Sequence, residues 1–530
     1  MNRRVGWLLL VPVVGQLAAP ILGWPSVVRL PAVLVPALLI GLLVLRPWKW
    51  NEAAFCTLDR WEPSPRQVLW SALLAGAVLF WIVLTRFESA EINALDLTVY
   101  FDRPCYQTLQ GRPLFVETAY GEGFSHRSQL AVHAFWAMLP VCSLYAIHAT
   151  PLWLLGLSVI AVVSGAAYVL RIMLRLHAGG VLASATAVAF LLNDNTARIL
   201  NYGFHVEVLY AWFVPWMIDA ALRRSRVSFA AAALACVLVK EDAFMPLVAA
   251  AVGLALNGVG VANWRDRLLF LVLPTAAALI NCVWYYTVVV ARLTGDSAPI
   301  YAGYWSNYGA TPVAALLGMA ADPWGVVVGA VTSGFFTTVI VPHLYLPLVG
   351  WRWSLGMLPI VLLYGASGNE ALREYGTYYA IILVPFLVLS ASVGARALFG
   401  RFLPARRARF AAAGTVLLAA TVIDGGYSLR PWRAEVGAVP VALDRLAAEP
   451  VVLVQSGLYP HAGYEERIQL LTPESLPAAE RAGTVVLLAP GVSAYPFQAE
   501  ERAWLEQQPR VAEMPEGLLA VRVAGRPPPR

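Results

Sequence analysis

Charge is what this chain has least of. Only 13% of its 530 residues are Asp, Glu, Lys or Arg, about half the share of an ordinary soluble domain. Lysine is nearly missing: Lys49 and Lys240 stand alone among 38 basic residues, and the other 36 are arginine. Cysteine is scarce and scattered (Cys56, Cys105, Cys142, Cys236 and Cys282), with only Cys105 clearly in an aqueous loop. That pattern predicts neither a disulfide framework nor a zinc site. No P-loop, Rossmann fingerprint, HExxH or GxSxG is present, which removes ATP-driven transport within this chain and the common soluble hydrolases. Ten-residue segments of alternating hydrophobicity are absent, which disfavours an outer-membrane barrel. No internal repeat marks the inverted halves of many transporters.

What is there is apolar. Hydrophobic residues make up 59% of the chain, and mean hydropathy is +0.65. The apolar runs are long enough to cross a hydrocarbon core of ~30 Å, which takes about 20 helical residues. The first, residues 5–22, lacks a small-residue cleavage site before Trp24 and Pro25, so it reads as a retained helix. The net charge of +6 needs no nucleic acid to explain it, because the arginines sit in short loops between apolar runs. Placing Arg46, Lys49, Arg60 and Arg66, then Arg171 and Arg175, Arg223 to Arg226, Arg265 and Arg267, and Arg396 to Arg409 in the cytoplasm gives one consistent path.

The expectation is an all-α polytopic membrane protein of about thirteen crossings. Its N-terminus is inside and its C-terminus outside, as in the bacterial inner membrane. Residues 1–426 form the transmembrane domain, and residues 86–150 its first large outer loop. The apolar stretch 130–147 in that loop is expected to lie along the membrane surface or pack into the bundle. Residues 427–525 turn polar and carry short β-like runs at 451–455, 468–471, 485–488 and 518–523, with helical patterns at 440–448 and 498–507. They predict a small extracytoplasmic α/β domain. The Pro-rich tail, 526–530, is expected to be disordered.

Ionisable groups at membrane depth are costly, so they mark a site or a polar cavity. Four clusters qualify. In Asp96-Leu97-Thr98-Val99-Tyr100-Phe101-Asp102, a helix would put Asp96, Tyr100 and Arg103 on one face, with Asp102 about 120° away. A base or a metal carboxylate competes there with a solvated, helix-capping acid. Glu122, His126 and His133 could hold a metal or move protons, although loop histidines are more often merely solvated. His205 and Glu207 begin a crossing, with Asp194 and Arg198 nearby, and an interfacial polar collar explains them equally well. Lys240-Glu241-Asp242 interrupts two apolar runs. A lysine there suits phosphate, and the alternative is an internal Lys–acid pair holding a helix break together. Tyr304, with Tyr301, Trp305 and Tyr308, and later Tyr378 with Tyr379, could floor a sugar or lipid site or belong to an aromatic belt.

Taken in order, these clusters resemble a known family. The matching pieces are Asp96-Leu97 through Gly111-Arg112-Pro113, His126 at the start of an apolar stretch, Phe204-His205-Val206-Glu207, Leu238-Val239-Lys240-Glu241-Asp242, Tyr308-Gly309, and Tyr378-Tyr379 through Pro385-Phe386. The set resembles the bacterial membrane-protein family called domain of unknown function 2079, which is related in architecture to the GT-C glycosyltransferases. Thr98, Val206 and Tyr378 depart from its pattern, which has glycine, proline and histidine there.

The resemblance implies a GT-C-like fold and sugar transfer from a polyprenyl-phosphate donor to an acceptor that the sequence does not identify. It implies Asp96 as base, with Asp102 as a second catalytic acid. Lys240 would bind phosphate, and His205, Glu207, His126, Arg103, Tyr304 and Tyr378 would line the site. A divalent Mg or Mn ion at Asp96 and Glu122 is the one cofactor it suggests. The competing expectations are a lipid or glycan transporter or flippase, and a non-catalytic envelope-biogenesis protein. The partners expected are membrane lipid and the lipid-linked sugar.

Overall fold

The computed structural model describes residues 61–92, 95–117, 126–259, 263–294, 300–422, 427–493 and 495–524. The two crossings expected before residue 50, the Glu122 site residue and the tail 526–530 lie outside these. Four described helices are long and apolar enough to cross a membrane: Pro65–Phe87, Leu152–Arg175, Trp264–Thr294 and Glu370–Phe399. A fifth crossing is possible if Ala314–Ala321 and Pro323–Thr332, bent by 94° at their junction, are taken as one broken span. Several expected crossings appear instead as shorter apolar helices, among them Gly180–Leu192, Val208–Leu222 and Arg226–Val239.

The chain divides into two compact units. One contains Val159–Ile199 and Val206–Ser428 with the chain up to Val78. The other contains Leu79–Ser158, Leu200–His205 and Leu429–Arg530.

In the first unit large apolar side chains face outward as well as inward, and several charged ones are buried. Trp70, Leu74, Ile280 and Val283 are more than 60% exposed, while Asp219, Glu207 and Lys240 are at most 3% exposed. Hydrocarbon, not water, is the solvent such a surface fits. The first long helix opens on a reciprocal cap: Ser64 N–H donates to the Gln67 side chain, and Gln67 N–H donates to Ser64 Oγ. Helices Phe244–Leu256 and Trp351–Gly365 pack through a glycine. A Cβ on Gly356 would lie 2.3 Å from the Ala249 carbonyl oxygen, the close backbone approach that small residues permit between membrane helices.

In the second unit, seven described strands form two sheets. Strands β1 (Phe115–Val116) and β2 (Arg127–Ser128) pair antiparallel. The larger sheet comprises β3 (Val452–Val454), β4 (Ile468–Leu470), β5 (Val485–Leu488), β6 (Arg510–Ala512) and β7 (Leu519–Arg522), in the order β4-β3-β5-β7-β6. Its β4-β3-β5 part is parallel and the rest antiparallel. Period-two alternation sorts its side chains into two cores. Val452, Val454, Val485 and Leu487 join one, and Leu453, Val486 and Leu488 join the other. The first core also contains Ala90, Val99 and Val116. The C-terminal sheet and residues 90–116 of the earlier segment therefore share one core. The stretch 130–147 breaks into short turns, Gln129–Ala131, Met138–Cys142 and Ser143–Ala146, and is not a span.

The expectation that no cysteines pair is corrected. Cys105 and Cys142, both fully buried, form a disulfide with Cα atoms 4.6 Å apart. Cys142 was hidden in an apolar stretch, where sequence gives no sign that the chain turns back to Cys105.

Candidate functional site

Each unit carries a buried polar cluster. In the first unit, helix Arg226–Val239 stops at Lys240, whose backbone is extended (φ −162°, ψ 161°), before a short turn, Glu241–Ala243, and helix Phe244–Leu256. The break turns Lys240 inward. Its Nζ donates to Glu207 Oε1 at 2.6 Å and lies 3.8 Å from Asp242 Oδ2. It sits 4.9 Å from the centre of the Tyr379 ring, on its face. Tyr210 donates to Asp242 Oδ1 at 3.0 Å, and Tyr286 donates to Glu241 Oε1 at 3.3 Å. One ammonium therefore stands among three carboxylates and a wall of phenols. The pair at 2.6 Å is the ion-paired helix break that the sequence offered as the alternative for Lys240. The phosphate role asks more of this lysine, because one of its three N–H donors is already committed.

Two sequence-chosen aromatics lie beside this cluster. Tyr378, half-buried, packs on Tyr379 with ring centres 4.3 Å apart. Tyr304, in the turn Ile300–Trp305, is within electrostatic reach of Lys240. Tyr210, Tyr286 and Tyr364, whose ring lies edge-on to Tyr379 with centres 6.4 Å apart, were missed. They lie within ordinary apolar stretches, where nothing in the sequence separates a site tyrosine from a packed one.

The second unit holds Asp96, Asp102, Arg103, His126 and His205. Leu95–Asp102 is a π-helix that runs into helix Arg103–Leu109. Asp96 is half-buried near Tyr100, whose phenol is pushed above its ordinary range by burial, by Asp96 and by Tyr495. Asp102 is 2% exposed, and its Oδ1 accepts from Tyr145 at 2.7 Å and Tyr464 at 2.8 Å. Burial pushes its carboxyl up to about 6, against the two phenol hydrogen bonds and the Arg103 charge, which pull it down.

Arg103 donates to Glu117 at 2.8 Å and to the Gly463 carbonyl at 2.7 Å, and its guanidinium lies 4.3 Å from the centre of the Tyr459 ring. Gln107 also bonds Glu117. Asp102 and Arg103 are thus packed into the shared core, where their partners come from both the segment 86–150 and the C-terminal segment. His126 is exposed with a left-handed backbone (φ 58°) and immediately precedes β2. His205 is buried, edge-on to Phe101 at 5.0 Å. His133 stacks on Phe135 at 4.7 Å.

Among the described residues no three His, Cys, Asp or Glu side chains are placed to hold a metal ion. Glu122, the second ligand expected beside Asp96, lies outside the described residues.

Among solved structures, ArnT from Cupriavidus metallidurans bound to undecaprenyl phosphate is similar to this chain, with a TM-score of 0.46 and 13% identity, covering 87% of this chain and 100% of that one. The same protein in the apo state gives a TM-score of 0.45 and 12% identity over 86% and 99%. No curated protein matches the sequence. The family described as "Predicted membrane protein (DUF2079)" matches residues 86–424, nearly two thirds of the sequence, and the chain belongs to that family.

Proposed function

We propose that this protein is an integral-membrane glycosyltransferase that moves a sugar from a polyprenyl-phosphate donor at the extracytoplasmic face. The observation that carries the reading is the meeting of two family segments. His205-Val206-Glu207 and Val239-Lys240-Glu241-Asp242 are far apart in sequence, yet their Glu207 and Lys240 close to 2.6 Å in a buried ionic cluster among apolar helices. Burying such charges costs several kcal/mol per ion before pairing, a cost that membrane proteins typically bear at functional sites.

In this reading Lys240 exchanges part of its carboxylate company for the donor phosphate and steadies the charge of the departing lipid phosphate. Tyr379 and Tyr378 offer aromatic faces to the sugar or the lipid chain. Asp96 accepts the acceptor's proton. The disulfide supports an extracytoplasmic setting for the second unit, since disulfides persist in oxidising compartments.

The test is lipid extraction and mass spectrometry of gently purified protein, followed by transfer of labelled sugar from a polyprenyl-phosphate donor in nanodiscs. Bound polyprenyl phosphate and transfer are expected in wild type, with transfer lost in Asp96→Asn and Lys240→Ala. No bound carrier and no transfer would sink the reading.

A second reading rests on the same cluster. Three carboxylates around one lysine also suit a proton- or cation-coupled carrier. A pH gradient that drives lipid or glycan movement across vesicles, without glycosidic bond cleavage, would favour it.

A further inference from the structure

At the arginine-bearing ends of two helices in the first unit, Asp219 is fully buried and holds three guanidinium groups. Arg175 donates to it through Nε at 2.7 Å, Arg223 through Nε at 2.9 Å, and Arg171 approaches through Nη2 at 3.2 Å. The charges do not balance: three cations meet one anion. The C-termini of helices Leu152–Arg175 and Val208–Leu222 each offer only about half a negative charge. The cluster remains net positive.

Its donors are also unspent. Arg175 engages Asp219 through Nε alone, leaving both terminal Nη groups without a partner among the described residues. Arg171 and Arg175 are 41% and 37% exposed, whereas the carboxylate that templates them is 0% exposed. Above them, Tyr168 lies 5.3 Å from the Arg171 guanidinium and stacks on Trp216 at 6.3 Å between ring centres. Trp216 Nε1 and Arg223 share Ser228 Oγ as acceptor. The helix Arg226–Val239, packed on Val208–Leu222, exposes Val227 and Leu234, at 84% and 59%. Guanidinium donors, with an aromatic pair beside them whose Tyr168 lies about one helical turn before Arg171, match the polar end of a lipid, and the exposed aliphatic side chains of the neighbouring helix suit acyl chains.

We propose that Arg171 and Arg175, held in place by Asp219, form a binding site for the phosphate of an anionic phospholipid in the leaflet at the arginine-bearing helix ends. The site shares no residue with the Lys240 cluster and stands or falls independently of the transfer reaction. A guanidinium fork takes a phosphate oxygen pair through two N–H donors, and Asp219 fixes the arginines beforehand, so little side-chain freedom is lost on binding.

The experiment uses native mass spectrometry of the full chain, released from mixed micelles of phosphatidylglycerol and phosphatidylcholine. The comparison is with Arg171→Gln/Arg175→Gln, which leaves Arg223 on Asp219. Selective retention of phosphatidylglycerol by the wild type, falling about tenfold in the variant, is expected from the loss of charge-assisted hydrogen bonds. Should the double variant fail to fold, Arg175→Lys, which keeps the charge and loses the fork, is expected to retain several-fold less lipid. Equal retention in wild type and variant would overturn the proposal. Protection from thermal unfolding by inorganic phosphate as strong as that by phosphatidylglycerol would also overturn it, by making this a site for soluble anions.

Discussion

Glu207 and Lys240 form a fully buried ion pair at 2.6 Å, with both side chains at most 3% exposed. Removing one member leaves an uncompensated charge, typically a cost of about 3–5 kcal/mol. The two halves of the pair are not equivalent here, because Asp242 stands 3.8 Å from the same ammonium. Glu207→Gln leaves Lys240 with Asp242, whereas Lys240→Met leaves three carboxylates with no cation. Lys240→Met is therefore expected to lower thermal stability in detergent by more than Glu207→Gln does. Equal losses would mean that Asp242 does not share the charge.

The pH dependence of folding is expected to carry a signature from Asp102. Its carboxyl is raised from 3.8 to about 6 by burial, against the pull of Tyr145, Tyr464 and Arg103. A raised acid favours the folded state while protonated. Its contribution is fully present below pH 3.8 and is lost as pH rises through about 6, roughly 3 kcal/mol over the whole window. Asp102→Asn stays uncharged and still offers one carbonyl oxygen to both phenols. The variant is expected to flatten the fall in stability between pH 4 and pH 6.5, as read by thermal unfolding across that range. An unchanged slope would place the titration elsewhere.

How much of this was legible follows from the physics of each element. The four main C-terminal strands lie where short β-branched runs placed them, at Val452–Val454, Ile468–Leu470, Val485–Leu488 and Leu519–Arg522. β6 was missed because Arg510-Val511-Ala512 carries no such run and is an edge strand of three residues. Lys240 and Glu207 were legible because charge is conspicuous in an apolar chain. Tyr145 and Tyr464, which hold Asp102, were not: their partnership is long-range, and one tyrosine among 21 carries no mark of its partner. The shared core of loop and sheet was hidden for the same reason, since Val99 and Val116 read as ordinary loop apolars.

The disulfide gives a prediction that also reports on topology. Cys105 and Cys142 are 37 residues apart, and a loop of that size is worth about 4 kcal/mol in the chain-entropy account. Cys105→Ser is expected to lower stability by about that order. In wild type expressed in bacteria, alkylation in denaturant before and after reduction should reveal two further reactive thiols, at Cys105 and Cys142. Full labelling without reductant would show that the segment carrying Cys105 and Cys142 does not face an oxidising compartment.

Two glycines test the packing from opposite sides. Gly356 lies where a Cβ would meet the Ala249 carbonyl oxygen at 2.3 Å, whereas Gly437, inside helix Ala434–Arg445, has nothing within 4 Å of an added Cβ. Gly356→Ala must push helices Phe244–Leu256 and Trp351–Gly365 apart, and overpacking of this kind costs about 1–3 kcal/mol. Gly437→Ala adds only helix propensity and should stabilise by about 0.5–1 kcal/mol. Thermal unfolding of the two variants side by side is expected to move in opposite directions. If Gly356→Ala left stability unchanged, the close approach of the two helices at that glycine would be wrong.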